Sequence, residues 1–339
     1  MNSFTYTRAT VVETAVREKS ASDQVKFIAG GTNLLDLMKE NIERPTRLID
    51  INHLPLTTID AAPDGGLRLG ALATNADTAW HPEVEKRYPL LSQAILAGAS
   101  PQLRNMATNG GNLLQRTRCY YFYDLATPCN KREPGSGCSA IGGYNRILGI
   151  LGTSESCIAT HPSDMCVALA ALAATVRVTG KSGDRVIKFD DFHRLPGDTP
   201  QFDTTLRPDE IVTAIDLPAE DFSQHFSYLK LRDRSSYAFA LVSVAAALQL
   251  DGNTIKDARL ALGGVAHKPW RDPAAEDLLK GQPATEETFR RAAAKVVEGA
   301  KGYGHNTFKI ELAKRAIVRA LKQAAEGLPV SEAFLNSNP

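Results

Sequence analysis

At 339 residues, 43% hydrophobic and 23% charged, the chain has the composition of an ordinary water-soluble globular protein, and its length suggests about two or three domains. Its 39 Lys and Arg against 38 Asp and Glu leave a net charge of +1, which gives no electrostatic basis for binding nucleic acid or a charged membrane surface. Met1 to Arg8 lacks a basic-then-apolar secretory pattern, and the longest apolar run, Phe239 to Leu248, is too short to cross a bilayer, so neither membrane insertion nor self-directed export is expected.

In chain order, Val25 to Ala29 reads as a short strand running into Gly30-Gly31-Thr32-Asn33 and then a helical Leu34 to Lys39. A strand, a glycine turn and a helix start together form an anion cradle, because the first helical amides have no partners of their own. Asn33 is expected to cap that helix. The pattern is neither a G-x-G-x-x-G nor a Walker loop, and one Gly-Gly turn is usually a plain connector. A second turn, Thr108-Asn109-Gly110-Gly111-Asn112, changes the reading, since two separated turns can grip the ends of a pyrophosphate-containing dinucleotide. Arg47 to Ile51 and Leu67 to Ala71 read as strands, and Pro89 to Ala97 as a helix leading toward the second turn.

Between the second turn and His161-Pro162-Ser163-Asp164 lie Cys119, Cys129, Cys138 and Cys157, spaced C-x9-C-x8-C-x18-C. About forty residues there have no helical or alternating apolar period, so something other than a core pattern must fix them. Four thiolates around one inorganic centre would do so. Structural zinc favours close pairs such as C-x2-C, and none exists here, so the long, uneven spacing favours [4Fe–4S] over zinc. Disulfides are the other alternative, but a chain of this length can build a core without staples.

An Ala-rich helix is expected from about Ser163 to Ala174, containing Cys166 as a packing residue rather than a ligand. Thr175 to Thr179 and Arg185 to Phe189 form a hairpin signal, and Glu210 to Leu217 another strand. Beyond a boundary near residue 220 the rhythm changes. Strands at Phe226 to Arg232, Ala238 to Leu250 and Ala258 to Val265 precede helices at Thr285 to Ala300 and Thr307 to Glu326, which indicates a separate α+β domain. Residues 327–339 read as a tail.

Phe27 to Leu34, Ala107 to Asn112, His161 to Asp164 and Lys230 to Ala240 together resemble the FAD-binding subunit of molybdenum hydroxylases, the xanthine dehydrogenase and carbon monoxide dehydrogenase group. The cysteine-bearing insert, Arg116 to Cys119, Pro128 to Arg132, Pro134 to Cys138 and Cys157 to His161, with Ala261 to Trp270, looks most similar to the periplasmic aldehyde oxidoreductase branch. The resemblance implies an α+β chain: a two-subdomain FAD-binding fold of the vanillyl-alcohol-oxidase and molybdenum-hydroxylase flavoprotein type over residues 1–220, split near 55, with a [4Fe–4S] insert at about 115–158. A smaller α+β domain of the CO dehydrogenase flavoprotein type would follow at 221–326.

The same resemblance implies that Phe27, Ile28, Ala29, Gly30, Gly31, Thr32, Asn33 and Leu34 wrap the FAD pyrophosphate, with Thr108, Gly111 and Asn112 on its other side. Asp164, Val212, Lys230 and Phe239 would lie at the flavin, and Cys119, Cys129, Cys138 and Cys157 would hold the cluster. Each has a plainer reading: Asp164 as a first-turn acid, Lys230 as a solvated strand residue, Phe239 as core, and His161 as structural. The implied role is an electron-transfer subunit without catalytic residues of its own. Electrons would pass from a molybdenum-cofactor large subunit and a [2Fe–2S] small subunit, in a heterotrimer, through FAD to an external acceptor. The implied location is the periplasm, reached by co-export with a partner carrying a twin-arginine signal, the alternative being the cytoplasm. Two other functions stay open: a 4-hydroxybenzoyl-CoA reductase subunit running in reverse, and a zinc-stabilised, non-enzymatic binding module.

Overall fold

Three sheets carry the chain in a computed structural model that describes residues 1–327. In the first, β1 (Thr5–Arg8), β2 (Val25–Ile28) and β3 (Arg47–Asp50) lie parallel in the order β1-β3-β2. Parallel neighbours need crossovers, here the helices Val12–Lys19 and Leu34–Lys39. The expected β2 and β3 are present, each one residue shorter than the sequence suggested. Strand β1 and its following helix gave no apolar period because the strand is mostly exposed and the helix buries only Ala15 and Val16.

The second sheet contains β4 (Ile59–Ala61), β5 (Leu67–Gly70), β6 (Thr175–Gly180), β7 (Gly183–Lys188) and β8 (Ile211–Leu217), antiparallel in the order β4-β5-β8-β6-β7. The hairpin β6-β7 forms as its sequence suggested, closing at the Gly180–Gly183 pair. Central β8 carries Asp216, which receives Arg68 at 2.7 Å from one neighbouring strand and Arg177 at 2.5 Å from the other. Opposite charges in cross-strand positions help fix this register.

The third sheet is an antiparallel set of β9 (His225–Leu231), β10 (Val242–Asp251), β11 (Thr254–Gly263) and β12 (Trp270–Arg271), in the order β12-β11-β10-β9. Helices Glu286–Val296 and Phe308–Glu326 pack on one side, the latter against β9 and β10, and helix Asp164–Ala171 packs against β10 and β11. Coverage of both faces explains why Val242 to Leu248 is buried without alternation. Ala245, Ala247 and Ala261 share a core with the Ala-rich helix, and small side chains there allow close approach. That strand starts at Val242 rather than Ala238, after a loop in which Tyr237 takes a positive φ of 50°. The Ala-rich helix ends at Ala171, not Ala174, because Ala173 turns left-handed at φ 51° before β6 begins. The long last helix closes on Gly327 in the left-handed conformation, a common helix stop; the rest of the expected tail lies outside the described residues.

Residues 115–158 contain one short helical turn, Tyr120–Tyr123, and are otherwise turns and loops. Side chains bonded to backbone replace secondary structure here. Arg132 donates to the carbonyls of Tyr121 at 2.7 Å and Phe122 at 2.9 Å, and Asn145 donates to Tyr303 O at 2.7 Å. Leu37, Phe122, Ala140, Leu148 and Ile158 form a small apolar cluster with three of the cysteines.

Candidate functional site

The two glycine loops meet. After Ile28 the chain turns through Gly31, at φ +71°, and a Cβ on Gly30 would lie only 1.7 Å from the Met106 carbonyl oxygen. The first loop is thus pressed against the residue just ahead of Ala107-Thr108-Asn109-Gly110-Gly111-Asn112, and Gly30 is required by that backbone contact. Among the described residues, the amides of Gly30, Gly31, Thr32 and Asn33 donate to no protein acceptor, leaving a row of N–H groups suited to an anion. Asn33 does not cap the helix as its sequence position suggested. Its Oδ1 accepts the Arg116 amide at 2.9 Å, and its Nδ2 is buried without a protein partner. An unpartnered buried donor in an otherwise well-bonded loop fits a polar ligand there.

In the second loop Thr108 Oγ1 accepts the Gly111 amide at 3.2 Å and starts the short helix Asn109–Leu113. Asn112 donates to Asn75 Oδ1 at 2.7 Å and accepts from Ser163 at 2.6 Å, tying this loop to the helix that Ser163 caps. A Cβ on Gly110 would lie 3.2 Å from Ala71 Cβ and 3.7 Å from Val212 Cβ, which places Val212 beneath the loop. The free amides, the glycine approach and the buried donor make a cradle into which the diphosphate of a dinucleotide fits.

Asp164 and Lys230 form a buried ion pair at 2.7 Å, and Lys230 also donates to Ala97 O at 3.0 Å. The plainer sequence reading of Lys230 as a solvated strand residue is therefore wrong. Tyr228 donates to Asp164 at 2.6 Å, and burial, reinforced by the Asp164 charge, pushes its phenol well above the ordinary range, so it remains a donor. Phe239 is 48% exposed, with the Arg118 guanidinium 5.0 Å from its ring centroid, so it is not core either. Tyr228 and Asn75 belong to this site but carried no sequence signal, because their partners come from distant segments, whereas Ser163 was visible in His161-Pro162-Ser163-Asp164 at the helix start.

Cys119, Cys129, Cys138 and Cys157 line one small pocket with Tyr121, Phe122 and Lys131. Cys129 and Cys138 face each other across an isolated antiparallel bridge, and all five cysteines are free in this structure. Burial pushes the Cys119 thiol up to about 12 and the Cys157 thiol up to about 11, so gathering them as thiolates requires a compensating cation or metal centre. Among the described residues, the only three or more His, Cys, Asp or Glu ligand atoms lying within 4.8 Å of one another belong to His161, Cys166 and His193. The pocket and the dinucleotide cradle are joined through Arg116, whose amide bonds Asn33 three residues before Cys119.

His161 and His193, far apart in sequence, pack with ring centroids 4.3 Å apart. His161 Nε2 and His193 Nδ1 are buried without protein partners, and burial lowers both imidazoles, His193 to about 4. Sequence reasoning found no partner for His161 because His193 lies in a connection between strands.

Residues 2–220 match the FAD binding domain in molybdopterin dehydrogenase, and residues 226–324 match the CO dehydrogenase flavoprotein C-terminal domain. The aldehyde oxidoreductase FAD-binding subunit PaoB of Escherichia coli is 51% identical over 326 residues, spanning 96% of this chain and 99% of its own length. The glyceraldehyde dehydrogenase medium chain of Sulfolobus acidocaldarius is 28% identical, over 95% of this chain and 98% of that one. In three dimensions the chain is similar to a carbon monoxide dehydrogenase from Hydrogenophaga pseudoflava, with TM-score 0.76, 26% identity, and coverage of 97% of this chain and 99% of that chain. Two family matches along the chain and a full-length relative at this identity, on a fold whose paired glycine loops suit a dinucleotide, make this chain an FAD-binding medium subunit of the molybdenum hydroxylase oxidoreductases.

Proposed function

We propose that the chain is the FAD- and [4Fe–4S]-carrying electron-transfer subunit of a molybdenum-dependent aldehyde oxidoreductase. Electrons would arrive from molybdenum and [2Fe–2S] partner subunits and leave to an external acceptor. The aldehyde assignment is supported by the PaoB relative, and the observation that carries the cluster is the gathering of all four cysteines on one pocket. The C-x9-C-x8-C-x18-C segment has no close pair of the kind structural zinc favours, and four thiols brought from separate positions to one pocket suit a polynuclear cluster, whose ligands sit at separate iron corners.

Bound FAD exchanges electrons singly or in pairs and an iron–sulfur cluster exchanges them singly, so the two together can join one-electron carriers to a two-electron reaction. The chain's own residues hold and orient. Free amides from Gly30 to Asn33 receive the diphosphate, and the buried Nδ2 of Asn33 adds a further donor. The Asp164–Lys230–Tyr228 set fixes helix Asp164–Ala171 against β9. Arg116 bonds the first glycine loop while lying in the arm that leads to Cys119, which keeps the two sites at a set separation.

Substrate oxidation belongs to the partners in this reading. The purified chain loaded with FAD should not turn over aldehydes, and activity should appear when the molybdenum and [2Fe–2S] subunits are added. Steady aldehyde turnover by the chain alone, with partner contamination excluded, would replace the relay with a self-contained flavin oxidase.

A further inference from the structure

Lys131 lies two residues after Cys129 and its side chain is only 1% exposed, on the wall of the pocket formed by the four thiols. A buried ammonium needs an acceptor for each hydrogen, and three are present. Nζ donates to Pro200 O at 2.7 Å, lies 2.5 Å from Asp203 Oδ1, and is 2.7 Å from His267 Nε2. His267 Nδ1 is 2.7 Å from Arg194 O, a carbonyl that can only accept, so Nδ1 bears the proton and Nε2 offers its lone pair to Lys131. Burial, then the Lys131 charge, lowers His267 to about 4, consistent with a neutral acceptor. Three acceptors around one head group hold Lys131 as a fixed cation.

The charges around it are placed unevenly. Asp203 is shared between Lys131 and Arg116, each at 2.5 Å, and Arg116 also reaches Glu43 at 2.9 Å. Asp203 is 20% exposed and so partly screened by water, whereas Lys131 is enclosed. The Lys131 side chain stands on the wall of the same pocket as the four thiols, so its charge lies beside them. None of the three acceptors lies in the segment that carries the four cysteines. They come from the connection after β7 and from the loop after β11, so the arrangement is not a by-product of holding the cysteines.

We propose that Lys131 is a potential-setting residue: a buried fixed cation that stabilises the added negative charge when the four-cysteine centre is reduced, with Asp203 and His267 holding it in place. The inference rests on the [4Fe–4S] reading above. One electron added to a cluster held by four thiolates raises its negative charge by one, and a neighbouring cation in a low-dielectric wall favours that state. Lys131 thereby makes the cluster an easier electron acceptor than the same ligands alone would.

The test is a redox titration of the assembled holoenzyme, following the electron paramagnetic resonance signal of the reduced [4Fe–4S] centre apart from the partner's clusters. In Lys131→Gln the ratio of reduced to oxidised centre at a fixed potential should fall about tenfold, which is a downward shift of about 59 mV for a one-electron couple. The partner clusters should not move. Lys131→Arg, which keeps the positive charge, should hold the midpoint near the wild-type value and remains informative where Lys131→Gln fails to fold. A full cluster with an unchanged midpoint in Lys131→Gln, or a midpoint lowered by about 59 mV in Lys131→Arg, overturns the role assigned to Lys131. Absence of any cluster signal from this chain in the wild-type complex overturns the cluster reading itself, and this inference with it.

Discussion

Lys309 shows how a single buried residue can hold two domains together. It lies at the start of the last helix, fully buried, with Nζ donating to Leu148 O at 2.8 Å and Gly264 O at 2.5 Å. One carbonyl belongs to the end of the cysteine segment and the other to the loop after β11. Burial lowers its amine to about 7, and a neutral amine has two hydrogens for those two carbonyls. The unfolded chain holds the Lys309 proton up to about 10.4, whereas the folded chain gives it up near 7, so stability should rise with pH between those values. Lys309→Met leaves both carbonyls without donors, at a cost of about 1–3 kcal/mol. Denaturant unfolding at pH 7 and pH 9 should show a larger loss at pH 9, where the wild type has gained stability and the variant has not. An equal loss at both pH values would mean that Lys309 keeps its proton when folded.

The glycine loops act as elements rather than as separate residues. From sequence both Gly-Gly pairs looked equivalent, each needed so that backbone can approach phosphate. The structure separates them: Gly30 faces the Met106 carbonyl at a distance no side chain can share, whereas a Cβ on Gly111 would meet only the Thr108 hydroxyl at 2.9 Å. Gly30→Val should therefore strip FAD from the chain, Gly31→Val should do so through its positive φ, and Gly111→Val should weaken retention less. Flavin content per folded chain, with circular dichroism as the fold control, measures this. Full flavin in folded Gly30→Val would contradict the close packing of the two loops.

What could be read in the sequence divides along the same lines. The β6-β7 hairpin and the last two helices were legible because local periods coincide with burial, and β10 because its buried residues form one continuous apolar run. Strand β1 was not, because its exposed Thr5–Arg8 pairs in parallel with a strand about forty residues away and carries no local pattern. In the candidate site the glycine turns and the cysteine spacing were visible, since each is written in one contiguous stretch. The Asp164–Lys230–Tyr228 set, His161 with His193, and Lys131 with Asp203 and His267 are joined only by folding. Asn33 shows the limit most clearly: its position suggested a helix cap, and a tertiary bond from Arg116 took its oxygen instead.

At the scale of the whole molecule, the cysteine segment leaves the dinucleotide cradle through Arg116 and is received by the C-terminal domain. Ile150 donates to Val265 O at 2.8 Å, Asn306 to Gly149 O at 2.9 Å and Asn145 to Tyr303 O at 2.7 Å. A segment with almost no secondary structure is thus fixed at both ends by different domains, with its four thiols gathered on one pocket between them. Among the described residues no helix is long and apolar enough to cross a membrane. Iron, acid-labile sulfide and flavin determined together on the purified chain test the central claim most directly, with Cys157→Ser and Cys166→Ser alongside. The account predicts four iron and four sulfide for each FAD in the wild type and in Cys166→Ser, and loss of iron and sulfide in Cys157→Ser. One zinc and no sulfide per chain, or flavin without iron in a chain purified under anaerobic conditions, would contradict it.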